Sequence, residues 1–371
     1  MRVLYQRLKS FIVLIKHYDR YIIAPSYYME YEHKSSVRIF LEQLYFILRY
    51  RDFEPYYFTY GFDRKNMSIR EICFSYIVPY YLFQKKVNRL NTINPVYGIF
   101  HGRSITADKF YFSIFLNSFG IPTPKVLCFV KGRNIIYMDS KFVNIEGVTD
   151  REKLKIFFSM DMDAFAKRSD GQLGNGVFSL QVKNKQIYKN GHIVTLDELL
   201  EVILSADYLI QERVYQHPAM SALCSSTLNS IRLQTVMTKE GKVIPFGAGL
   251  RIGREGSSVD NWAKGGTFVG IDMQKGRLLE NGFLKPQYGT ITKRHLDSGV
   301  VFKDYEIPFF REAVDLALEL HTKMYRCHSV GWDIAITEKG PVFIEGNGLW
   351  EISLLQAVHG GLKSFEKYFI V

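Results

Sequence analysis

Along the first ninety positions apolar residues recur at three- and four-residue spacing, the period of helices that bury one face. SSVRIFLEQLYFILRY (35–50) has this pattern, and Ser35 or Ser36 is placed to cap its start. From about residue 94 the texture changes. HGRSITADKFYFSIFLNSFGIPTPKVLCFV (101–130) reads as a helix ended by Gly120, a turn carrying Pro122 and Pro124, and then a strand. Beyond residue 150, short β-branched runs are punctuated by the hairpin-type turns KNGH, KEGKV and EKGPV. They alternate with helical stretches such as VTLDELLEVILS and PFFREAVDLALELHTKMY. The alternation predicts an α/β or α+β protein, without internal repeats or a low-complexity linker.

Length adds that 371 residues suit two or three structural units. No run approaches the roughly 20 apolar residues of a spanning helix, and 11–24 is broken by Lys16, His17, Asp19 and Arg20 without a cleavage site. Four scattered cysteines (Cys73, Cys128, Cys224, Cys327) support neither a disulfide framework nor a zinc site, so a reducing, cytoplasmic setting is expected. Charge is uneven. The net +11 is concentrated in residues 1–100, which hold 15 Lys+Arg against 8 Asp+Glu and 24 of the 55 aromatics. Such a surface suits nucleic acid, anionic lipid or phosphorylated sugars; equally, its tyrosines can pack a helical core while its arginines are solvated. No nucleic-acid motif accompanies the charge, so no nucleic-acid partner is expected, whereas a peripheral contact with a membrane's inner face is consistent with it.

Three stretches carry candidate chemistry. In DAFAKRSDGQLGNGVFSLQV (163–182) a strand delivers Lys167, a turn with Gly171, Gly174 and Gly176 follows, and a second strand leaves. Glycines let backbone N–H groups approach phosphate oxygens and the lysine supplies a point charge. The order, lysine first and strand after, is not that of a P-loop, and a plain glycine-rich hairpin remains an equal reading. YLIQERV (208–214) ends an apolar strand in Gln211 and Glu212, followed by Val214. An extended backbone there suits an adenine and the carboxylate a ribose; an exposed strand-end glutamate is the alternative. In GWDIAITEKGPVFIEGNGLWEIS (331–353) two strands join through a tight turn. Glu345 and Asn347 share a face, and Asp333 lies twelve residues before Glu345 around the hairpin. Oxygen ligands converging among apolar neighbours suit Mg²⁺ sharing phosphate oxygens; the alternative is an acid pair facing solvent.

Taken in order, and with the upstream ADKFYFSIFLNSFGIPTP, these stretches resemble the ATP-grasp superfamily. The resemblance covers about residues 95–371 and is nearest to its sugar-transfer associated branch, met near surface-polysaccharide biosynthesis genes, on the strength of SSTLNSIRLQTV (225–236), 245–272 and the aromatic N-terminus. It implies an α+β fold in which two lobes, 94–215 and 216–371, clasp ATP behind a helical region of 1–93. It also implies that Lys109 and Lys167 bind ATP phosphates under a lid bearing Gly171, Gly174 and Gly176. Glu212 would hold the ribose and the backbone of Gln211 to Val214 the adenine. Asp333, Glu345 and Asn347 would ligate Mg²⁺. Arg232 and Arg251 would face the cleft as catalytic groups, which matters because Trp332 occupies a position near which some ATP-grasp ligases carry an arginine.

DNWAKGGT (260–267) lacks a hydrophobic period and reads as a functional loop, with Asn261, Gly265, Gly266 and Thr267 against a substrate anion and Lys264 beside them. No histidine shows metal or triad spacing, and no GxSxG surrounds Ser225 or Ser226. The activity implied by the resemblance is an ATP-dependent carboxylate–amine ligase working through an acyl phosphate. Its substrates would be a uronic-acid or amino-sugar unit and an amino acid, its partners surface-polysaccharide enzymes. A small-molecule kinase and a non-catalytic nucleotide- or glycan-binding module are the alternatives.

Overall fold

The computed structural model describes residues 2–94, 98–99, 103–143, 147–169, 176–257, 260, 262–324 and 326–369. The N-terminal region holds helices α1 (Arg2–Lys16), α2 (Tyr18–Tyr21), α3 (Ser36–Tyr50), α4 (Ile69–Ser75) and α5 (Tyr80–Thr92). Ser35 caps α3 by accepting from the Arg38 amide. Many of its aromatics pack inward: Tyr57, Tyr60 and Phe62 lie in a core that also takes in Phe283 and Ala357 from the distant C-terminal part. Phe83 and Leu90 of α5 pack with Phe246, Trp350 and Phe369. Asn91 Nδ2 donates to the carbonyls of Ser329 and Gly348, and Tyr27 Oη to that of Leu284. The tyrosine-rich region is thereby built onto the C-terminal sheet.

Strands β1 (Ile93–Asn94) and β2 (Gly98–Ile99) form a small ladder before helices α6 (Ser104–Ala107) and α7 (Lys109–Ser118). Asp108 caps α7 by accepting from the amides of Phe110 and Tyr111, and the chain turns away at Gly120, φ +68°. The first large sheet comprises β3 (Val126–Lys131), β4 (Asn134–Met138), β5 (Met162–Arg168), β6 (Val177–Lys183), β7 (Gln186–Lys189), β8 (His192–Val194) and β9 (Tyr208–Glu212). Their order is β4-β3-β9-β5-β6-β7-β8, antiparallel throughout. Helices α8 (Asp150–Phe157) and α9 (Leu196–Leu204) each open with a Thr/Glu capping box. They bury Leu154, Phe157, Leu199 and Ile203 against Ala164, Ala166 and Ile210 on one face of this sheet. The opposite face borders the cleft.

After α10 (Pro218–Leu223), a second antiparallel sheet is made of β10 (Ser230–Met237), β11 (Val243–Ile252), β12 (Thr267–Asp272), β13 (Arg277–Phe283), β14 (Ile291–Thr292), β15 (Ser329–Thr337) and β16 (Gly340–Asn347). The order is β14-β13-β12-β11-β10-β15-β16. Helix α11 (Phe310–Lys323) lays Ala313, Ala317 and Leu320 on its outer face against Ile231, Leu233 and Trp332. There Trp332 Nε1 donates to Thr235 Oγ1, which lies 2.7 Å from Nδ1 of the buried His321. Burial pushes that imidazole down to about 4, so it stays neutral and structural. Helix α12 (Ser353–His359) packs on the inner face over β11, β12 and β13. Outward residues of β10 and β15 are thus committed to the core, and the residues between them turn to the cleft.

Candidate active site

A cleft of about 1300 Å³ lies between the sheets. Its floor follows from strand register. Asp333 pairs directly with Arg232 of β10 on one side and with Glu345 of β16 on the other. The turn at Gly340 starts β16 in a register that would set Ile344 opposite Asp333. A bulge at that point accommodates one extra residue and brings Glu345 there instead. Arg232 Nε and Arg251 Nη1 each lie 3.1 Å from a different Asp333 oxygen, and Asn347 Nδ2 donates to Oδ2 at 3.3 Å. Gly331 is required beside this cluster, since a Cβ would stand 2.6 Å from Trp350 Cβ and 3.1 Å from Arg232 Nη1.

Two lysines, from helix α7 and from the first sheet, complete the cluster. Lys109 Nζ, at the start of α7, is 3.5 Å from Glu345 Oε1. Lys167, near the end of β5, is half-buried. Desolvation pushes its ammonium down to about 8, with Lys109 adding to the effect and Glu345 opposing it. Burial also raises both Asp333 and Glu345, while Arg251 pulls Asp333 back and Lys109 pulls Glu345 back. Four cationic side chains therefore face two carboxylates, an arrangement that attracts a polyphosphate. A lysine attracts phosphate only in its charged form, so if Lys167 contacts the nucleotide, affinity is expected to fall as pH rises from about 7 to about 9 and Lys167 loses its proton. Titration calorimetry with ATP across that range checks this, and a Lys167→Met variant is expected to bind weakly without the pH dependence.

At the end of β9 the site departs from expectation. Val214 lines the cleft. Gln211 is buried, its Nε2 donating to Ser113 Oγ and the Pro124 carbonyl, so its side chain fastens α7 to the sheet. Glu212 pairs with Ala164, on the face where α8 and α9 pack, and its exposed side chain is not among those lining the cleft. A ribose contact from this carboxylate does not fit that placement. Arg213 and Tyr215 instead both bond Asp163, at 2.6 Å each, tying the segment after β9 to β5.

Of the lid glycines, Gly171 and Gly174 lie outside the described residues. Gly176 closes the hairpin at φ +72°, against the Arg168 side chain. The expected substrate loop is corrected in part. Asn261 lies outside the described residues. Lys264 is exposed on a short 3-10 turn and does not line the cleft. Gly265 is buried against the Tyr288 ring and Gly266 is buried beside it; neither lines the cleft. Thr267 is not in a loop but opens β12, buried and out of the cleft, whereas Phe268, next in the strand, lines it. What this stretch does supply is Asp260, which the sequence reading passed over. Its Oδ2 accepts from the amide and hydroxyl of Ser230, and desolvation pushes it up to about 6 although Arg251 opposes the shift. Also unforeseen is the wall contributed by the N-terminal region through Arg20, Tyr21, Tyr27, Tyr56, Phe58 and Tyr81.

Among the described residues no three His, Cys, Asp or Glu side chains come together. The donors available are two carboxylates and the Asn347 carboxamide; Asp333 Oδ1, buried and ion-paired with Arg232, takes no well-formed hydrogen bond. Such hard oxygens fit Mg²⁺ when phosphate oxygens and water complete its shell.

Two antiparallel sheets facing across a cleft, with Lys167 on one, an acid–arginine row on the other and Lys109 on helix α7, define an ATP-grasp fold. More narrowly, the chain belongs to the sugar-transfer associated ATP-grasp family, which it matches over residues 100–366. No curated protein matches it. Among solved structures it is similar to an N5-carboxyaminoimidazole ribonucleotide synthetase in an ADP complex, at 12% identity and TM-score 0.38, covering 67% of this chain and 46% of that one. It is also similar to the D-alanine-D-alanine ligase of Coxiella burnetii, at 10% identity and TM-score 0.37, covering 72% and 57%. For the D-alanyl-alanine synthetase A of Vibrio cholerae the identity is 14%, the TM-score 0.37 and the coverage 71% and 67%. The chain spans about half the length of the first of these.

Proposed function

We propose that the protein is an ATP-dependent carboxylate–amine ligase that attaches an amino acid to a sugar unit of a cell-surface polysaccharide precursor. The observation that carries the reading is the row Glu345–Asp333–Arg232, with Arg251 beside it, facing Lys109 and Lys167 across one cleft. Lys109 and Lys167 hold the phosphates of ATP, and the backbone near Val214 borders the base. Asp333, Glu345 and Asn347 would hold Mg²⁺, which would neutralise phosphate charge. A substrate carboxylate oriented by Arg232 and Arg251 attacks the γ-phosphorus, breaking its bond to the bridging oxygen and giving ADP and an acyl phosphate. The amine then attacks the acyl carbon and phosphate leaves. Exclusion of water from the cleft would protect the acyl phosphate.

In this scheme Asp260 takes the proton released by the amine. A carboxylate that titrates near 6 is mostly ionised at neutral pH yet basic enough for the task. Turnover is therefore expected to fall as pH drops below about 6, and Asp260→Asn is expected to lower amide formation by roughly 10²-fold and remove that acid limb. The test of the function is incubation with ATP, Mg²⁺, amino acids and uronic-acid sugars, read by mass spectrometry. Release of ADP and phosphate with a condensation product supports the ligase. A phosphorylated acceptor without phosphate release makes it a kinase, and absence of nucleotide binding removes both.

A further inference from the structure

Helices α1 and α3 each carry two apolar faces where a surface helix needs one. The inner faces are accounted for by the N-terminal core, through Leu14 of α1 and Ile39, Phe46 and Ile47 of α3. On α1, Leu4, Leu8, Ile12 and Ile15 form an outward stripe at helical spacing. On α3, Val37, Leu41, Tyr45 and Leu48 repeat the same spacing. These eight side chains are between 41% and 71% exposed, far above what scattered surface hydrophobics require. The two helices are neighbours: the Phe11 and Phe40 rings meet edge to face, and Arg7 donates to the Leu48 carbonyl.

Charge decides what covers these stripes. Residues 2–25 contain five basic residues (Arg2, Arg7, Lys9, Lys16, Arg20), of which Arg7 is engaged by the Leu48 carbonyl and Arg20 lines the cleft, against a single acid, Asp19. On α3 the one acid, Glu42, is buried and consumed by Lys34 and Arg38. A second copy of this chain meeting the same face would set cations against cations. A bilayer bearing anionic headgroups presents the opposite charge, with acyl chains beneath for the apolar stripe. Neither helix is long and apolar enough to cross a membrane, so the geometry is that of helices lying in the interface.

We propose that α1 and α3 dock the protein on an anionic membrane surface, the outward stripes entering the headgroup region and the flanking lysines and arginines meeting lipid phosphates. The end of α2 and the residues after it also reach the cleft, which Arg20, Tyr21, Ala24 and Pro25 line. Docking would therefore set the cleft close to the bilayer. If the ligase reading holds, such docking would suit a lipid-linked acceptor sugar; the docking itself does not rest on that reading and stands on the helices.

The test is flotation of the full-length protein with phosphatidylcholine vesicles and with vesicles containing about 30 mol% phosphatidylglycerol. Recovery with the anionic vesicles, falling as salt is raised, is the expected result, with little on phosphatidylcholine alone. Leu8→Gln/Ile12→Gln and, separately, Leu41→Gln/Leu48→Gln are each expected to lower the partition coefficient about tenfold or more. Both pairs point to solvent, so thermal midpoint and ATP binding should hold, and a variant that loses either is set aside in favour of the other. The proposal is overturned by absence of flotation, by flotation that the stripe variants leave unchanged, or by a dimer in sedimentation that those variants dissolve. None of these outcomes bears on ADP release from soluble substrates, so failure of docking and failure of the ligase reading are distinguishable.

Discussion

Glu345→Gln is expected to lower Mg²⁺-dependent ADP release by about 10²–10³-fold while leaving the fold and Mg²⁺-free nucleotide binding intact. The bulge in β16 brings this carboxylate opposite Asp333, and Lys109 at the start of α7 contacts it. Glutamine keeps the shape, so packing is preserved. What is lost is one of the two negative charges that would neutralise Mg²⁺ against phosphate. Without the metal, removing a negative charge from beside a polyphosphate does not weaken binding, and affinity for ATP alone should be equal or higher. The effect therefore belongs in kcat and in the Mg²⁺ concentration needed for half-maximal rate. Steady-state ADP release over a Mg²⁺ series, together with calorimetry in chelator, separates the two. Turnover close to wild type would remove Glu345 from the metal site.

The hairpin that carries this residue was legible because its information is local. The Lys339–Gly340 turn sets the pairing, and the acids sit in a run of apolar neighbours that forces burial. Helix starts were equally readable: Ser35 caps where side-chain chemistry requires it, and Gly120 ends the helix of Lys109 with its positive φ. Glu212 failed for a related reason. In YLIQE every residue before the last two is apolar, so the strand shows no alternation, and which face Glu212 takes is decided only by pairing with Ala164. Asp260 and Lys264 lie four residues apart in one polar stretch. Nothing local distinguishes the one buried against Ser230 from the one in solvent. The tyrosine-rich wall depends on contacts such as Tyr27 with Leu284, 257 residues away, which no window of sequence contains. Composition correctly marked that region as unusual. Its tyrosines pack a core, as one reading of the region expects, and several of them also line the cleft.

Asp333→Ala is expected to be the most damaging single change, because it removes the charge compensation of two arginines as well as a proposed metal ligand. Asp333 holds Arg232 and Arg251 at 3.1 Å each, and the three side chains are only 10%, 14% and 21% exposed. Taking away one member of a buried ion pair leaves the other charge desolvated, at a cost of about 3–5 kcal/mol. Here two guanidinium groups lose the same partner and are then left to repel each other. Urea unfolding should show the loss, and ADP release should fall to background. A merely catalytic role for Asp333 would predict lost activity with unchanged stability. The decisive comparison is the double variant Asp333→Ala/Arg251→Met. Removing one of the stranded cations should recover part of the lost stability without restoring turnover, giving a coupling energy of about 1–3 kcal/mol in the cycle. Additive losses would mean that the arginines reach solvent once the carboxylate is gone, and that the row on the sheet is held by strand register alone.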